Sequence, residues 1–147
     1  MIECRPFAIG DIELFQNYGG QDYLVPLMER EKLVDMVASG SHYTILAEDR
    51  ILACGGFAPA NPYRAVAWAL LSEGTPQRFP AVHRMIGRLL NEQPWRRIEA
   101  YVDPGFAPAM RWARMLGFEL VVPFRPLFYP DGRGAAEWVF YPRAEGA

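Results

Sequence analysis

The stretch APAMRWARMLGFE, Ala107–Glu119, decides how we interpret the rest of the chain. Its apolar residues recur at helical spacing. Gly117 then stops the helix, because glycine tolerates the left-handed backbone of a helix end. Phe118 opens the apolar segment that follows. The stretch therefore predicts a short amphipathic helix with an abrupt end, followed at once by a strand.

Working outward from this helix, the chain alternates between strand-like and helix-like patterns. Two apolar runs separated by Glu48, Asp49 and Arg50 predict a hairpin. The segment RAVAWALLSEG predicts a covered strand, and TPQRFPAVHRMIGRLLNEQP predicts a long helix with an apolar stripe. With the flanking segments, the predicted order is β-α-α-β-β-β-α-β-α-β-β. This order indicates an α/β fold with a mixed (α+β) sheet, about seven strands flanked by helices on both faces, in one domain over residues 1–147.

The composition narrows the classes of function. The chain has 147 residues, of which 51% are hydrophobic and 14% aromatic, enough for a well-filled core. Its 15 basic and 17 acidic residues give a net charge of -2, which argues against a nucleic-acid coat protein. Because no leader or long apolar run is apparent, we expect a cytoplasmic protein without a membrane partner. Cys4 and Cys54 are predicted to be buried thiols, and the histidines and cysteines lack the spacing of a metal site.

Three stretches of the chain resemble the GNAT superfamily of N-acetyltransferases. The opening IECRPFAIGDIELF resembles the family's first strand, with its arginine, and the aspartate at the start of the first helix. RAVAWALLSEG and the helix of RFPAVHRMIGRLL resemble the strand and helix where the family places acetyl-CoA. AMRWARMLGFE resembles the late helix, with Ala109, Gly117 and Phe118 in their usual places. The resemblance spans almost the whole chain, and its brevity and aromatic richness look most like compact GNAT-like proteins of bacteriophages and prophages.

The resemblance implies an acetyl-CoA site between two parallel strands that splay apart, here residues 65–71 and 98–102. The unpaired backbone groups of such strands bind the amides of the pantetheine arm. The N-terminus of the following helix, around Arg78 to His83, is then expected to bind the pyrophosphate. The implied cofactor-binding residues are Leu70, Leu71, Gln77, Arg78, Phe79, Ala81, Val82, His83 and Arg84.

The sequence departs from the family pattern at two places. Pro80, Ala81 and Val82 stand where the phosphate loop of the family carries glycines. Proline donates no N–H, so a phosphate donor is lost if Pro80 lies in the loop, and less is lost if Pro80 begins the helix. In the late helix, Phe106 and Ala113 replace the family's asparagine and the tyrosine that protonates the leaving thiolate.

Acetylation of an amine also needs a group that removes a proton from a nitrogen with a pKa of about 10. Glu73, at the end of the central strand, is the first candidate base, with a solvated loop glutamate as the alternative. Glu99 and Tyr101 lie on one face of a strand and are candidates for base and acid. The alternative is that Tyr101 and Glu99 form a hydrogen bond with each other that has only a structural role. His83, near a helix N-terminus, is either a base or an exposed helix residue.

These residues leave two functions open. The first is an acetyl-CoA-dependent N-acetyltransferase, in which the amine of a small molecule or a protein attacks the thioester directly. The second is a non-catalytic GNAT-like protein with a phage structural, assembly or host-interaction role. The central strand and Arg78 favour the first function, and the altered phosphate loop and missing tyrosine favour the second. No nucleic-acid or membrane partner is expected, and the oligomeric state stays open, with a homodimer as one option.

Overall fold

The computed structural model describes residues 2–14, 30–72 and 75–142, which form one sheet with helices against both faces. The strands are β1 (Ile2–Pro6), β2 (Ser41–Ala47), β3 (Arg50–Pro59), β4 (Arg64–Leu71), β5 (Arg97–Val102), β6 (Glu119–Arg125) and β7 (Ala135–Phe140). The helices are a 3₁₀ helix (Ile9–Leu14), α1 (Arg30–Val37), α2 (Thr75–Glu92) and α3 (Ala107–Met115). This order agrees with the predicted one, although the first helix is of the tighter 3₁₀ type. The second helix of the predicted order, before the hairpin, begins outside the described residues, and α1 is its described part.

The sheet has the strand order β1-β2-β3-β4-β5-β7-β6. Of these seven strands, every neighbouring pair is antiparallel except β4 and β5, which are parallel and joined through α2, as a parallel crossover requires. Between β2 and β3, Glu48 and Asp49 have φ angles of 51 and 68, the left-handed backbone of a tight hairpin turn. The predicted hairpin is therefore confirmed. Within the described part of the chain, no helix has the length and apolar character needed to cross a bilayer.

Alternate side chains of the sheet meet different helices. On one face, Ile45 of β2 packs in a cluster with Val82 of α2. On the other face, the neighbouring Thr44 donates a hydrogen bond from Oγ1 to Asp11 of the 3₁₀ helix at 2.7 Å. Asp11 also accepts two hydrogen bonds from Arg5, at 2.8 and 2.9 Å. This buried carboxylate holds the 3₁₀ helix against the sheet.

The end of α3 confirms the prediction made from the opening stretch. Gly117 has a φ of 100, and its N–H donates to the carbonyl of Arg114 at 3.0 Å. The N–H of Phe118 donates to the carbonyl of Ala113 at 3.0 Å. These are the two bonds of a Schellman helix end. Phe118 is buried against Phe140, with ring centroids 5.4 Å apart. The Gly-Phe pair therefore has a structural explanation: it ends the helix and fills the core.

Two expectations from the sequence are wrong. Pro80 lies neither in a loop nor at the start of a helix, because α2 begins at Thr75 and contains it. The proline therefore removes one bond within the helix rather than a phosphate donor. Cys4 is exposed rather than buried, because β1 lies at the edge of the sheet and most of its residues face outward. Cys54 is buried, as predicted.

Candidate functional site

The parallel strands β4 and β5 pair over only part of their length. The pairs are Arg64 with Arg97, Ala65 with Ile98, and Val66 with Glu99. Beyond these residues the two strands, as far as Leu71 and Val102, have no further pairs with each other. Each keeps its outer partner, since β4 stays paired with β3 and β5 with β7 to the same points. We call residues 64–66 and 97–99 the closed half and residues 67–71 and 100–102 the open half. The predicted gap between the strands is thus confirmed.

A cavity of about 750 Å³ passes through the open half. Ala67 and Ala100 line it on the face that carries α2 and α3. Trp68 and Tyr101, the next residues along the two strands, line it on the opposite face. The volume lies in the range of small-molecule sites. Among the described residues that line the cavity, Arg111 of α3 is the only one with a formal charge.

Glu99 and Tyr101 form one hydrogen-bonded unit, which is the structural alternative that the sequence left open. The hydroxyl of Tyr101 donates to Oε1 of Glu99 at 2.8 Å. Oε2 of Glu99 accepts from Nε of Arg64 at 2.8 Å and from Nε of Arg97 at 2.9 Å. Both oxygens of this buried carboxylate are therefore occupied.

The surroundings of this unit determine its proton chemistry. Burial alone would raise the pKa of Glu99, but the hydrogen bonds from Arg97 and Tyr101 and the charge of Arg64 outweigh it, and the pKa is lowered. Burial, together with the hydrogen bond to Glu99, raises the pKa of Tyr101 to about 12. Glu99 is therefore an anion with little tendency to take a proton, while Tyr101 keeps its proton. Of the two side chains, Tyr101 lines the cavity.

Two of the predicted cofactor residues, Phe79 and His83, meet Trp112 of α3. The indole Nε1 of Trp112 donates to Nδ1 of His83 at 3.0 Å. The ring of Phe79 lies 5.8 Å from that of His83 and 5.6 Å from that of Trp112. Because Nδ1 accepts a hydrogen bond, the neutral ring of His83 carries its proton on Nε2. Phe79 and Trp112 line the cavity, and His83 contacts both of them.

α2 begins at Thr75, the first residue of the segment that predicted it, and so earlier than either position considered for Pro80 allowed. The first N–H groups of a helix have no partner within it. Because α2 begins at Thr75, these groups belong to Thr75, Gln77 and Arg78, and Pro76 has none. Gln77 is exposed, and the guanidinium of Arg78 lies 3.5 Å from a carboxylate oxygen of Glu48. Two of these amides, those of Thr75 and Gln77, therefore lie before the region Arg78 to His83 that we expected for the anion, and the third, that of Arg78, lies at its start.

The other predicted site residues lie in varied surroundings. Leu70 and Leu71 line the cavity, and Arg84 is exposed on α2. Ala81 is half-buried, whereas the side chain of Val82 is wholly buried against the sheet and has no surface to offer a ligand.

The candidate base Glu73 lies outside the described residues. The described part of the chain holds no group of three histidine, cysteine or acidic side chains placed for a metal ion.

A pair of side chains beside the open half was missed by the reasoning from sequence. Nε1 of Trp68 donates to Nδ1 of His42 at 2.9 Å, and Nε2 of His42 bonds the carbonyl of Ser39 at 2.8 Å. The pair crosses Gly56, where a Cβ atom would collide with the imidazole. Burial lowers the pKa of His42, although the bond to Ser39 opposes it. Arg111 was missed as well. Gly56 was the signal in the sequence for the Trp68–His42 pair, because a glycine inside a strand marks a close approach by another group.

At the level of sequence, neither a family model nor a curated protein matches the chain. Solved structures match its fold. Ard1 from Thermoplasma volcanium has a TM-score of 0.80 at 15% identity, over 97% of this chain and 99% of that chain. Ribosomal-protein-S5-alanine acetyltransferase from Vibrio fischeri has a TM-score of 0.68 at 14% identity, over 99% and 96%. For yncA from Salmonella typhimurium, solved with its cofactor acetyl-CoA, the TM-score is 0.68 at 10% identity, over 99% and 96%. The chain therefore has the fold of the GNAT acetyltransferases.

Proposed function

We propose that this protein is an acetyl-CoA-dependent N-acetyltransferase in which an amine attacks the thioester directly. The observation that carries the proposal is the open half of β4 and β5. The inner backbone edges of residues 67–70 and 100–102 face a cavity rather than each other. Buried backbone groups need hydrogen-bond partners, and the two amides of a pantetheine arm have matching donors and acceptors.

The residues around the cavity fit coenzyme A in three further respects. The free N–H groups at the start of α2 suit a pyrophosphate, since a helix N-terminus favours anions. Arg78 on α2 and Arg111 on α3 supply guanidinium groups, which bind phosphate well. Phe79 and Trp112 offer apolar walls for the arm. A protein with the same fold, yncA, is solved with acetyl-CoA, which supports the same choice of cofactor.

When bound, acetyl-CoA supplies an electrophilic carbonyl carbon, and the remaining chemistry belongs to this chain. N–H groups of β4 between Ala67 and Leu70, where β4 no longer pairs with β5, are donors for the oxygen that gains negative charge during attack. Because the pKa of Tyr101 is about 12, well above the ordinary pKa of a thiol, Tyr101 orients groups by hydrogen bonding rather than yielding its proton outright. Glu99 positions that hydroxyl. Glu73 stays a candidate base.

Thermal unfolding with and without acetyl-CoA tests the proposal. At about 100 times its dissociation constant, a ligand adds about 2.7 kcal/mol, which is a rise of several degrees in Tm for a domain of this size. The double variant Arg78→Ala/Arg84→Ala should lose most of this rise. Arg88→Ala is the matched control, because Arg88, like Arg84, is exposed but lies further along α2.

The outcomes separate the two functions that the sequence left open. A rise in Tm that depends on Arg78 and Arg84, together with acetyl transfer to an amine, supports the enzyme. A rise that survives the double variant means that the phosphates lie elsewhere. No rise at millimolar acetyl-CoA overturns the proposal and favours the non-catalytic protein.

A further inference from the structure

The face of the cavity opposite α2 and α3 is walled by aromatic rings. Trp68 is held there by its bond to His42. The rings of Tyr101 and Phe128 stack with centroids 4.7 Å apart and planes 23° apart. Phe128 also meets Tyr129 edge-on at 5.2 Å. Flat rings recognise other flat rings better than they recognise flexible alkyl chains. The acceptor side of the proposed enzyme therefore has the surface of an aromatic-binding site.

Charges near this face disfavour a cationic acceptor. No aspartate, glutamate, lysine or histidine lines the cavity among the described residues. The two buried carboxylates behind the aromatic face, Glu99 and Glu137, are already held by arginines. Their partners are Arg64, Arg97 and Arg125. Three guanidinium groups against two carboxylates leave one positive charge, and a polyamine would meet repulsion instead of a counter-ion.

The acceptor nitrogen must also be neutral when it attacks. An alkylamine is protonated at neutral pH and needs a base to remove the proton. Of the candidates among the described residues, Glu99 has both oxygens occupied and Tyr101 keeps its own proton, so Glu73 stays a candidate base. An arylamine needs neither Glu73 nor any other base to become neutral, because its lone pair is delocalised into the ring and its nitrogen is already neutral at pH 7. The aromatic walls and the occupied carboxylates therefore both favour an aromatic amine that is neutral at pH 7.

We propose that the acceptor is an arylamine, a weakly basic aromatic amine whose ring lies between Trp68 and the Tyr101–Phe128 stack. This inference rests on the proposed acetyltransferase function. The nitrogen lone pair attacks the thioester carbonyl carbon, so that the C–N bond forms and the C–S bond breaks. The proton released by nitrogen passes through water to the thiolate. The products are an N-aryl acetamide and a free thiol.

Aniline, benzylamine and spermidine, each with acetyl-CoA and the full chain, test this inference. Aniline and benzylamine differ by one methylene and share the ring, but only benzylamine is protonated at pH 7. We expect kcat/KM for aniline to exceed that for benzylamine at least about tenfold at pH 7, and to stay flat from about pH 6 to 9. With benzylamine, kcat/KM should rise about tenfold per pH unit as its neutral form accumulates. Spermidine should not be acetylated.

Phe128→Ala tests the aromatic wall by itself. Phe128 is 41% exposed, so its truncation leaves the core intact. It should lower kcat/KM for aniline about fivefold, through KM, with the Tm rise from acetyl-CoA unchanged. The neighbouring Leu127→Ala is the control, since Leu127 is 82% exposed and does not line the cavity.

Each result decides between the two proposals. Preference for benzylamine or spermidine at pH 7, or a Phe128→Ala variant with unchanged kcat/KM for aniline, overturns the arylamine acceptor. A Tm rise with acetyl-CoA but no acetylation of aniline overturns it as well and leaves the cofactor site standing. A protein that shows no Tm rise overturns the acetyltransferase function itself.

Discussion

The closed and open halves of the β4–β5 pair lie on the same two strands and are built in opposite ways. In the closed half the backbones pair, Ala65 and Ile98 are fully buried, and Arg64 bridges the strands to Glu99. In the open half the backbones separate, and aromatic and small apolar side chains line a cavity. The two halves also differ in composition, since the closed half carries Arg64, Arg97 and Glu99 and the open half carries Trp68 and Tyr101.

This contrast shows how a small sheet accommodates a site. The closed half and the outer ladders to β3 and β7 hold the two strands in place. The strands can therefore separate from each other further along, where backbone groups of residues 67–70 and 100–102 become available to a ligand. Stability is expected to reside in the closed half and binding in the open half.

The largest expected difference between the halves is in stability. Ile98 is 0% exposed, whereas Val102, on the same face of β5, is half-buried and lines the cavity. Ile98→Ala should lower the free energy of unfolding by about 3 to 4 kcal/mol, because it leaves a cavity in the core. Val102→Ala should cost less than about 1 kcal/mol, because its methyl groups already border open space. Urea denaturation measures both values, and equal costs would contradict the contrast.

A second difference concerns the buried carboxylate of the closed half. Glu99→Gln should lower the free energy of unfolding at pH 7 by about 2 kcal/mol, because it breaks a buried ion pair whose arginine partners still reach water. The folded pKa of Glu99 is lowered. Its stabilisation is therefore fully present above the unfolded value of about 4.3 and is lost as pH falls through the folded pKa.

Urea unfolding of wild type and Glu99→Gln at neutral and acid pH checks this sign. The difference in the free energy of unfolding between the two proteins should disappear as the pH falls below about 4. Asp11 also has a lowered pKa, so the difference between the proteins, not the wild-type curve, isolates Glu99. Glu119→Gln is the control, since Glu119 is exposed on β6. A difference in the free energy of unfolding that is constant with pH would mean that the carboxylate charge does not stabilise the closed half.

Much of the fold was predictable because it depends on local patterns. The hairpin at Glu48 and Asp49 and the helix end at Gly117 are set by neighbouring residues, and both predictions are confirmed. The order of strands and helices follows from similar patterns. Cys4 was misplaced because burial at a sheet edge depends on which strand lies outermost, and periodicity within one strand does not report this.

The site was less predictable because its contacts cross long stretches of chain. Glu99 and Tyr101 were found because they are close in sequence on one strand face. The arginines that occupy Glu99 belong to different strands, and Trp68 meets His42 across an intervening strand. Such contacts require the register of the sheet. Pro80 was misjudged because the position of the family's phosphate loop and the frequency of proline at helix starts were given more weight than the helical pattern, which already began at Thr75, as α2 does.

The smallest expected effect concerns the open half and occurs in a different pH range. Nδ1 of His42 accepts a hydrogen bond from the indole Nε1 of Trp68. Protonation of Nδ1 would place two N–H donors against each other and break this bond. Burial lowers the folded pKa of His42. The folded protein therefore resists protonation, and stability is lost as pH falls below the unfolded value of about 6.5. Because the ring is only half-buried, we expect a loss of less than about 1 kcal/mol between about pH 7.5 and 5.5.

Urea unfolding across this range measures the loss, and two variants assign it. His42→Gln removes the titrating group and can still accept from the indole, so its stability should be flat over the same range. Trp68→Phe removes the donor and should reduce the slope, because protonation of His42 no longer breaks a bond. A wild-type protein whose stability is flat in this range would contradict the account. A slope that survives His42→Gln would assign the proton to another group and leave the open half without a titrating bond.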